Sequence, residues 1–141
     1  MSGRLSYGSR RKYTHMVGDD VDVWNRFIVK FPDRFETVDY DFRVGDGQQL
    51  DIELGENYQR MAKMLSQLRI DALCWNGELP TIVEVKPRCV ITALGQLQGY
   101  KILFVKEFKN IISPELLMVC EVISNDVLHV FKESRISVEI V

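Results

Sequence analysis

Apolar positions change their period several times along this chain, and each change marks an element. From Asp19 the residues Val21, Val23, Trp24, Phe27, Ile28 and Phe31 recur at helical spacing behind an acidic first turn, and Pro32 follows. This predicts a helix over Asp19 to Lys30. Arg34 to Val44 alternates, with Phe35, Val38, Tyr40, Phe42 and Val44 apolar, and predicts a strand. After a turn at Gly45-Asp46-Gly47, Gln49 to Leu54 opens a further candidate strand. Glu56 to Gln67 has the composition of a short helix or ordered loop, with Tyr58, Met61, Met64 and Leu65 on one side and the methionines read as packing. Two strands, Leu68 to Trp75 and Thr81 to Lys86, flank Asn76-Gly77, the second bracketed by Pro80 and Pro87. Val90 to Phe104 is a helix with Leu94, Leu97 and Leu103 on its apolar side. Its Gly95 and Gly99 are expected to allow close packing on a sheet. Leu116 to Ile123 reads as a buried strand, Asp126 to Glu133 as a short helix, and Ile136 to Val141 as a last strand. The order α-β-β-β-α-β-α-β, with a hairpin handing over to crossover helices, implies an α/β fold on a mixed sheet.

Composition narrows this little. A chain of 141 residues, 46% hydrophobic and 27% charged, reads as one globular domain with enough length for a core. Residues 18–141 are assigned to that domain. Residues 1–17 form a basic N-terminal arm carrying Arg4, Arg10, Arg11 and Lys12 without an acid. Two readings stand for the arm: a solvated tail, or a contact arm for phosphate or a protein partner. The net charge of −2 neither favours nor excludes nucleic acid, so a binder of this charge must segregate its basic residues. Cys74, Cys89 and Cys120 lack CxxC spacing, which points away from zinc and disulfides and toward a reduced, intracellular setting. No apolar run reaches the length of a membrane span, and no membrane partner is expected. His15 and His129 have no ligand spacing and read as surface or structural.

The chemistry concentrates between Arg69 and Tyr100. Asn-Gly between two strands is a strong signal for a two-residue type I′ turn. With Asn76-Gly77 as the loop, Trp75 faces Glu78, Ala72 faces Thr81 and Asp71 faces Ile82. Glu84 and Lys86 then share a face with Asp71, because strand side chains repeat every second residue. Asp71 and Glu84 become diagonal neighbours, roughly 7–8 Å apart. A loop one residue longer would send them to opposite faces. An acid and a lysine inside Thr-Ile-Val-Glu-Val-Lys are costly to bury unless paired or bound to metal. A buried ion pair is the plain alternative, and such pairs are weak evidence for stability. Two carboxylates and a lysine match the needs of metal-assisted phosphodiester hydrolysis. Asp71, Glu84 and the carbonyl of Val85 would ligate Mg2+ (or Mn2+), and Lys86 would orient a water or offset transition-state charge. Gln96 and Tyr100 share a helix face from which they could orient these groups.

Asp71, Glu84-Val85-Lys86 and Gln96-x-x-x-Tyr100, in this element order, resemble the PD-(D/E)XK nuclease superfamily with its restriction-endonuclease-like fold. The Gln-x-x-x-Tyr addition is similar to its RecB-type branches. The resemblance implies a divalent-metal-dependent DNA nuclease in which Asp71, Glu84, Lys86, Gln96 and Tyr100 are catalytic and Arg4, Arg10, Arg11, Lys12, Arg88 and Lys101 contact DNA or a partner. Double-strand cutting would need a homo-oligomer. Family members often carry a further acid on the first helix, and Asp19, Asp20 and Asp22 are what this helix offers. A looser similarity joins the chain to head-completion nucleases of tailed phages, through the basic arm, Trp24 and the IEVKP-like strand. That similarity implies a location in the host cytoplasm or the virion, and an alternative role as a virion structural protein whose arm docks on neighbouring virion proteins.

Overall fold

A computed structural model describes residues 2–47 and 55–141. Its strands are β1 (Leu5–Ser6), β2 (Thr37–Val44), β3 (Leu68–Asn76), β4 (Leu79–Cys89), β5 (Glu115–Ile123) and β6 (Ser137–Ile140). Its helices are α1 (Asp19–Lys30), α2 (Glu56–Ser66), α3 (Thr92–Glu107) and α4 (Asn125–Glu133). The strands form one mixed sheet in the order β1-β2-β3-β4-β5-β6, antiparallel through β4 and parallel from β4 to β6. The expected α/β class and mixed sheet are therefore present. The candidate strand over Gln49 to Leu54 lies outside the described residues.

Helices cover both faces. On one, Val23, Trp24, Phe27 and Ile28 of α1 pack over Val38, Tyr40, Ala72, Cys74, Val83 and Val85. Trp24 stacks on Phe27 at 5.1 Å and gives its indole N–H to the Tyr40 hydroxyl at 2.9 Å, so its one polar atom is satisfied in the core. On the other face, Ala93, Leu97, Tyr100 and Phe104 of α3 and Phe131 of α4 cover Ile70, Leu73, Trp75, Ile82, Leu116 and Met118. The crossovers β4-α3-β5 and β5-α4-β6 give the parallel half of the sheet its helical cover, as parallel strands require. Ser124 caps α4 by accepting the Val127 N–H at 3.3 Å.

The hairpin turn corrects the expected register. Its loop is Gly77-Glu78: Asn76 pairs with Leu79, Trp75 with Pro80 and Ala72 with Val83. Type I′ needs positive φ at both loop residues. Here Gly77 alone has it, at 58°, and glycine at the first loop position belongs to type II′. Asn76 instead extends the strand and gives its side-chain N–H to the Arg34 carbonyl at 2.9 Å. Because partners move by two residues, every side chain keeps its face.

Other expectations change too. Gly95 and Gly99 face open space, so close packing on the sheet does not explain them. Met61 of α2 is exposed, not packed, and the side chain of Met64 lies outside the described residues. β4 runs through Pro80 and Pro87. Residues 2–17 lie against the sheet: β1 pairs with β2, and Tyr13 and Met16 are buried in the α1-side core. A Cβ on Gly3 would sit 2.5 Å from the Val38 nitrogen, an approach open only to glycine. Among the described residues, no helix is long and apolar enough to cross a membrane.

Candidate functional site

The sheet splits at the place where the acids sit. β3 and β4 pair from Asn76–Leu79 as far as Ala72–Val83. Beyond that, β3 continues with β2 through Ile70–Phe42 and Leu68–Val44, while β4 continues with β5 through Lys86–Cys120 and Cys89–Ile123. Asp71 and Glu84 are the first residues past the last pair, facing each other across the fork. Their predicted proximity thus holds, as opposed neighbours and not diagonal ones. The opening frees main-chain groups that a continuous ladder would have used. Asp71 Oδ2 takes one of them, accepting the Val85 N–H at 2.9 Å. Pro87 lies in the same unpaired stretch, where one edge of β4 has left the ladder and a missing N–H is tolerated.

Charge accumulates around this opening. Glu84 is 2% exposed. Lys86 Nζ stands 3.8 Å from Glu84 Oε1 and 4.0 Å from Asp20 Oδ2. The candidate third acid is thus Asp20, in the first turn of α1, while Asp19 and Asp22 are exposed. Burial pushes the Glu84 carboxyl up to about 8, the Asp71 charge pushes the same way, and Lys86 opposes them. Burial likewise raises Asp71, against the Val85 N–H and Lys86. Asp20 is raised by burial against the pull of Lys86. Two ionised carboxylates cannot hydrogen-bond each other. Burial and mutual repulsion likewise disfavour ionising both at once. Glu84 Oε2 is buried without a hydrogen-bond partner among the described residues.

That orphaned oxygen, beside a second carboxylate, is the observation on which a metal can be tested. Among the described residues there is no group of three or more His, Cys, Asp or Glu able to hold a metal. Magnesium needs no such group: it keeps several waters and takes one or two carboxylates plus substrate phosphate. The donor set Asp71, Glu84 and a Val85 carbonyl fits that habit.

The remaining predicted residues are distributed as follows. Tyr100 is buried on α3 near the pair, its hydroxyl pushed up by burial and by the charges of Glu84 and Asp71. Gln96, one turn earlier, is exposed. The Val85 side chain is buried in the α1-side core, leaving its main chain for the fork. Arg4 is held at the sheet edge by Asp39, at 3.1 Å. Arg10 reaches the Ser6 carbonyl at 3.3 Å, Arg11, Lys12 and Arg88 are exposed, and Lys101 is half-buried on α3.

Sequence reasoning missed a second cluster. Asp41, opposite Asp71 on β2, has a left-handed φ of 52° and breaks the β2–β3 ladder between Tyr40–Ala72 and Phe42–Ile70. The break turns Phe42 and Val44 to the opposite face from Val38 and Tyr40. Around Asp41 stand His15, Arg43 and Arg69. The signal was legible: Asp41-Phe-Arg43 and Arg69-Ile-Asp71 are mirror images in sequence on antiparallel strands. A shallow apolar groove of about 500 Å3, lined by Asn25, Val29, Ile140 and others, lies apart from these charges. Comparison with family models, with curated proteins and with solved structures found no match.

Proposed function

We propose that the fork between β3 and β4 is the active site of a divalent-metal-dependent deoxyribonuclease of the PD-(D/E)XK type, on a restriction-endonuclease-like fold. The observation that carries this reading is the buried Glu84 carboxyl opposite Asp71, whose Oε1 lies beside Lys86 and whose Oε2 has no partner among the described residues. A merely structural ion pair would satisfy that oxygen. Asp71, Glu84 and the Val85 carbonyl would hold Mg2+ or Mn2+. When bound, the cation would polarise a phosphoryl oxygen and lower the pKa of the attacking water. Lys86, held between Glu84 and Asp20, is placed to orient that water or to offset negative charge as the bond breaks. Asp20 positions Lys86, and Tyr100 backs the carboxylates from α3. The alternative, a virion structural protein, calls for an arm free to reach its neighbours. The packing of Tyr13, Met16 and β1 on their own sheet weighs against it.

Purified protein incubated with plasmid and with single-stranded DNA in Mg2+ or Mn2+, beside E84Q and K86A, tests the reading. Cleavage by wild type and its loss in both variants is expected. Equal cleavage by all three would mark a contaminant and overturn the assignment, and so would no cleavage by any.

A further inference from the structure

Arg43 and Arg69 face each other directly across β2 and β3, an arrangement of like charges that a sheet ordinarily avoids. Asp41 between them is the obvious counter-charge, with its side chain 5% exposed. The compensation is incomplete. Arg43 Nη2 is 3.8 Å from Asp41 Oδ2, and Arg69 Nε is 3.8 Å from Asp41 Oδ1, both beyond hydrogen-bond distance. The short contact of Asp41 goes to His15 Nε2, at 2.9 Å. Asp41 Oδ1 and Arg43 Nε are buried with no partner among the described residues. Two guanidiniums against one carboxylate leave a net positive charge before His15 is counted. Both arginine side chains remain about 30% exposed. His15 and Asp41 each adopt positive φ, at 61° and 52°, an uncommon conformation for residues other than glycine. Opposed like charges and an unfilled Arg43 donor are thus gathered around one carboxylate, with Arg69 Nη1 already 3.0 Å from His15 Nε2, and an external anion would offset the surplus positive charge of the two guanidiniums.

Position identifies the anion. Arg69 precedes Asp71 by two residues on the same strand, roughly 7 Å of chain. The clamp therefore borders the fork. We propose that Arg43 and Arg69 form a phosphate clamp that grips a backbone phosphodiester of the DNA strand next to the one being cut, with Asp41 and His15 positioning the guanidiniums. The planar donor fork of arginine suits two phosphate oxygens. This inference rests on the nuclease reading for its substrate, but its test does not require cleavage.

Binding of a fluorescein-labelled duplex is read by anisotropy in EDTA across a salt series for wild type, R43Q/R69Q and R43K/R69K. R43Q/R69Q is expected to bind roughly tenfold or more weakly, and its log–log salt slope to fall by about 2. R43K/R69K, which retains both charges, should keep the slope and lose affinity severalfold. If R43Q/R69Q melts early, the Lys pair, with its fold checked by circular dichroism, carries the test. Unchanged affinity and slope in the arginine variants, with wild type still cleaving DNA in Mg2+, would overturn the clamp and leave the nuclease standing. Weakened binding with no cleavage by wild type would support the clamp and sink the nuclease reading. No binding by wild type would overturn the clamp.

Discussion

Asp39 and Glu84 are both buried acids on this sheet, 3% and 2% exposed, yet their surroundings differ. Asp39 Oδ1 accepts the Arg4 main-chain N–H at 3.0 Å and the Arg4 Nε–H at 3.1 Å, and Oδ2 accepts the Trp75 indole N–H at 3.3 Å. Both of its oxygens are occupied, by three donors from two distant parts of the chain. Glu84 has an ammonium at 3.8 Å, a second carboxyl beside it and one oxygen with nothing to accept from. Equal burial therefore carries opposite meanings. A satisfied acid ties Arg4, β2 and β3 together, whereas the unsatisfied one is the acid we propose as part of a binding site. Burial alone does not separate the two roles, and the donor inventory does.

The contrast can be broken most decisively through activity. E84Q keeps the shape of the side chain and removes its charge. It is expected to lower DNA cleavage by at least about 100-fold while leaving the metal-free protein at least as stable as wild type. A severe loss of stability in a urea melt would make Glu84 structural, like Asp39. D20N, which takes one partner from Lys86, should reduce cleavage by roughly tenfold with little change in KM, measured by steady-state kinetics. An unaltered rate would remove Asp20 from the site.

D39A is the converse probe. It strands the Trp75 indole and the donors of Arg4, so it should destabilise by about 1–3 kcal/mol, read as an equal loss with and without Mg2+. Larger destabilisation in the presence of metal would contradict a purely structural role. The most gradual effect concerns pH. The Glu84 carboxyl is raised in the fold from an ordinary value of 4.5 to about 8, so its protonated form favours folding. That contribution is full below about pH 4.5 and is lost as pH rises toward about 8. Metal-free protein should therefore lose stability across this window, and both E84Q and saturating Mg2+ should flatten the slope. An equal slope in wild type and E84Q would show that Glu84 is not the group responsible. Metal binding near neutral pH should release protons, measurable by calorimetry in buffers of different ionisation enthalpy.

Much of this was legible in the chain. The helix over Asp19–Lys30 formed between the limits set by its acidic first turn and Pro32, because capping charge and a residue without an N–H act locally. Side-chain alternation put Asp71, Glu84 and Lys86 together even though the turn itself was misread. A two-residue shift preserves faces, whereas a one-residue shift would have destroyed the site. Local periodicity thus determined the elements, the face of each strand and the acids and lysine that meet.

Tertiary structure decided what no local pattern encodes. Whether β3 and β4 stay paired or part at Asp71 depends on the competition of β2 and β5 for their outer edges, and those strands arrive from distant sequence. The choice of Asp20 over Asp19 and Asp22 depends on the rotation of α1 against the sheet, fixed by the packing of Trp24 and Phe27. The clamp exists only because Asp41 takes a left-handed turn in mid-strand and brings His15, Arg43 and Arg69 around one carboxylate. Sequence fixes which side chains are available and which face each can occupy, since those follow from local sterics. Which buried charges end with partners and which end without is settled by long-range packing, and in this protein that difference separates scaffold from candidate site.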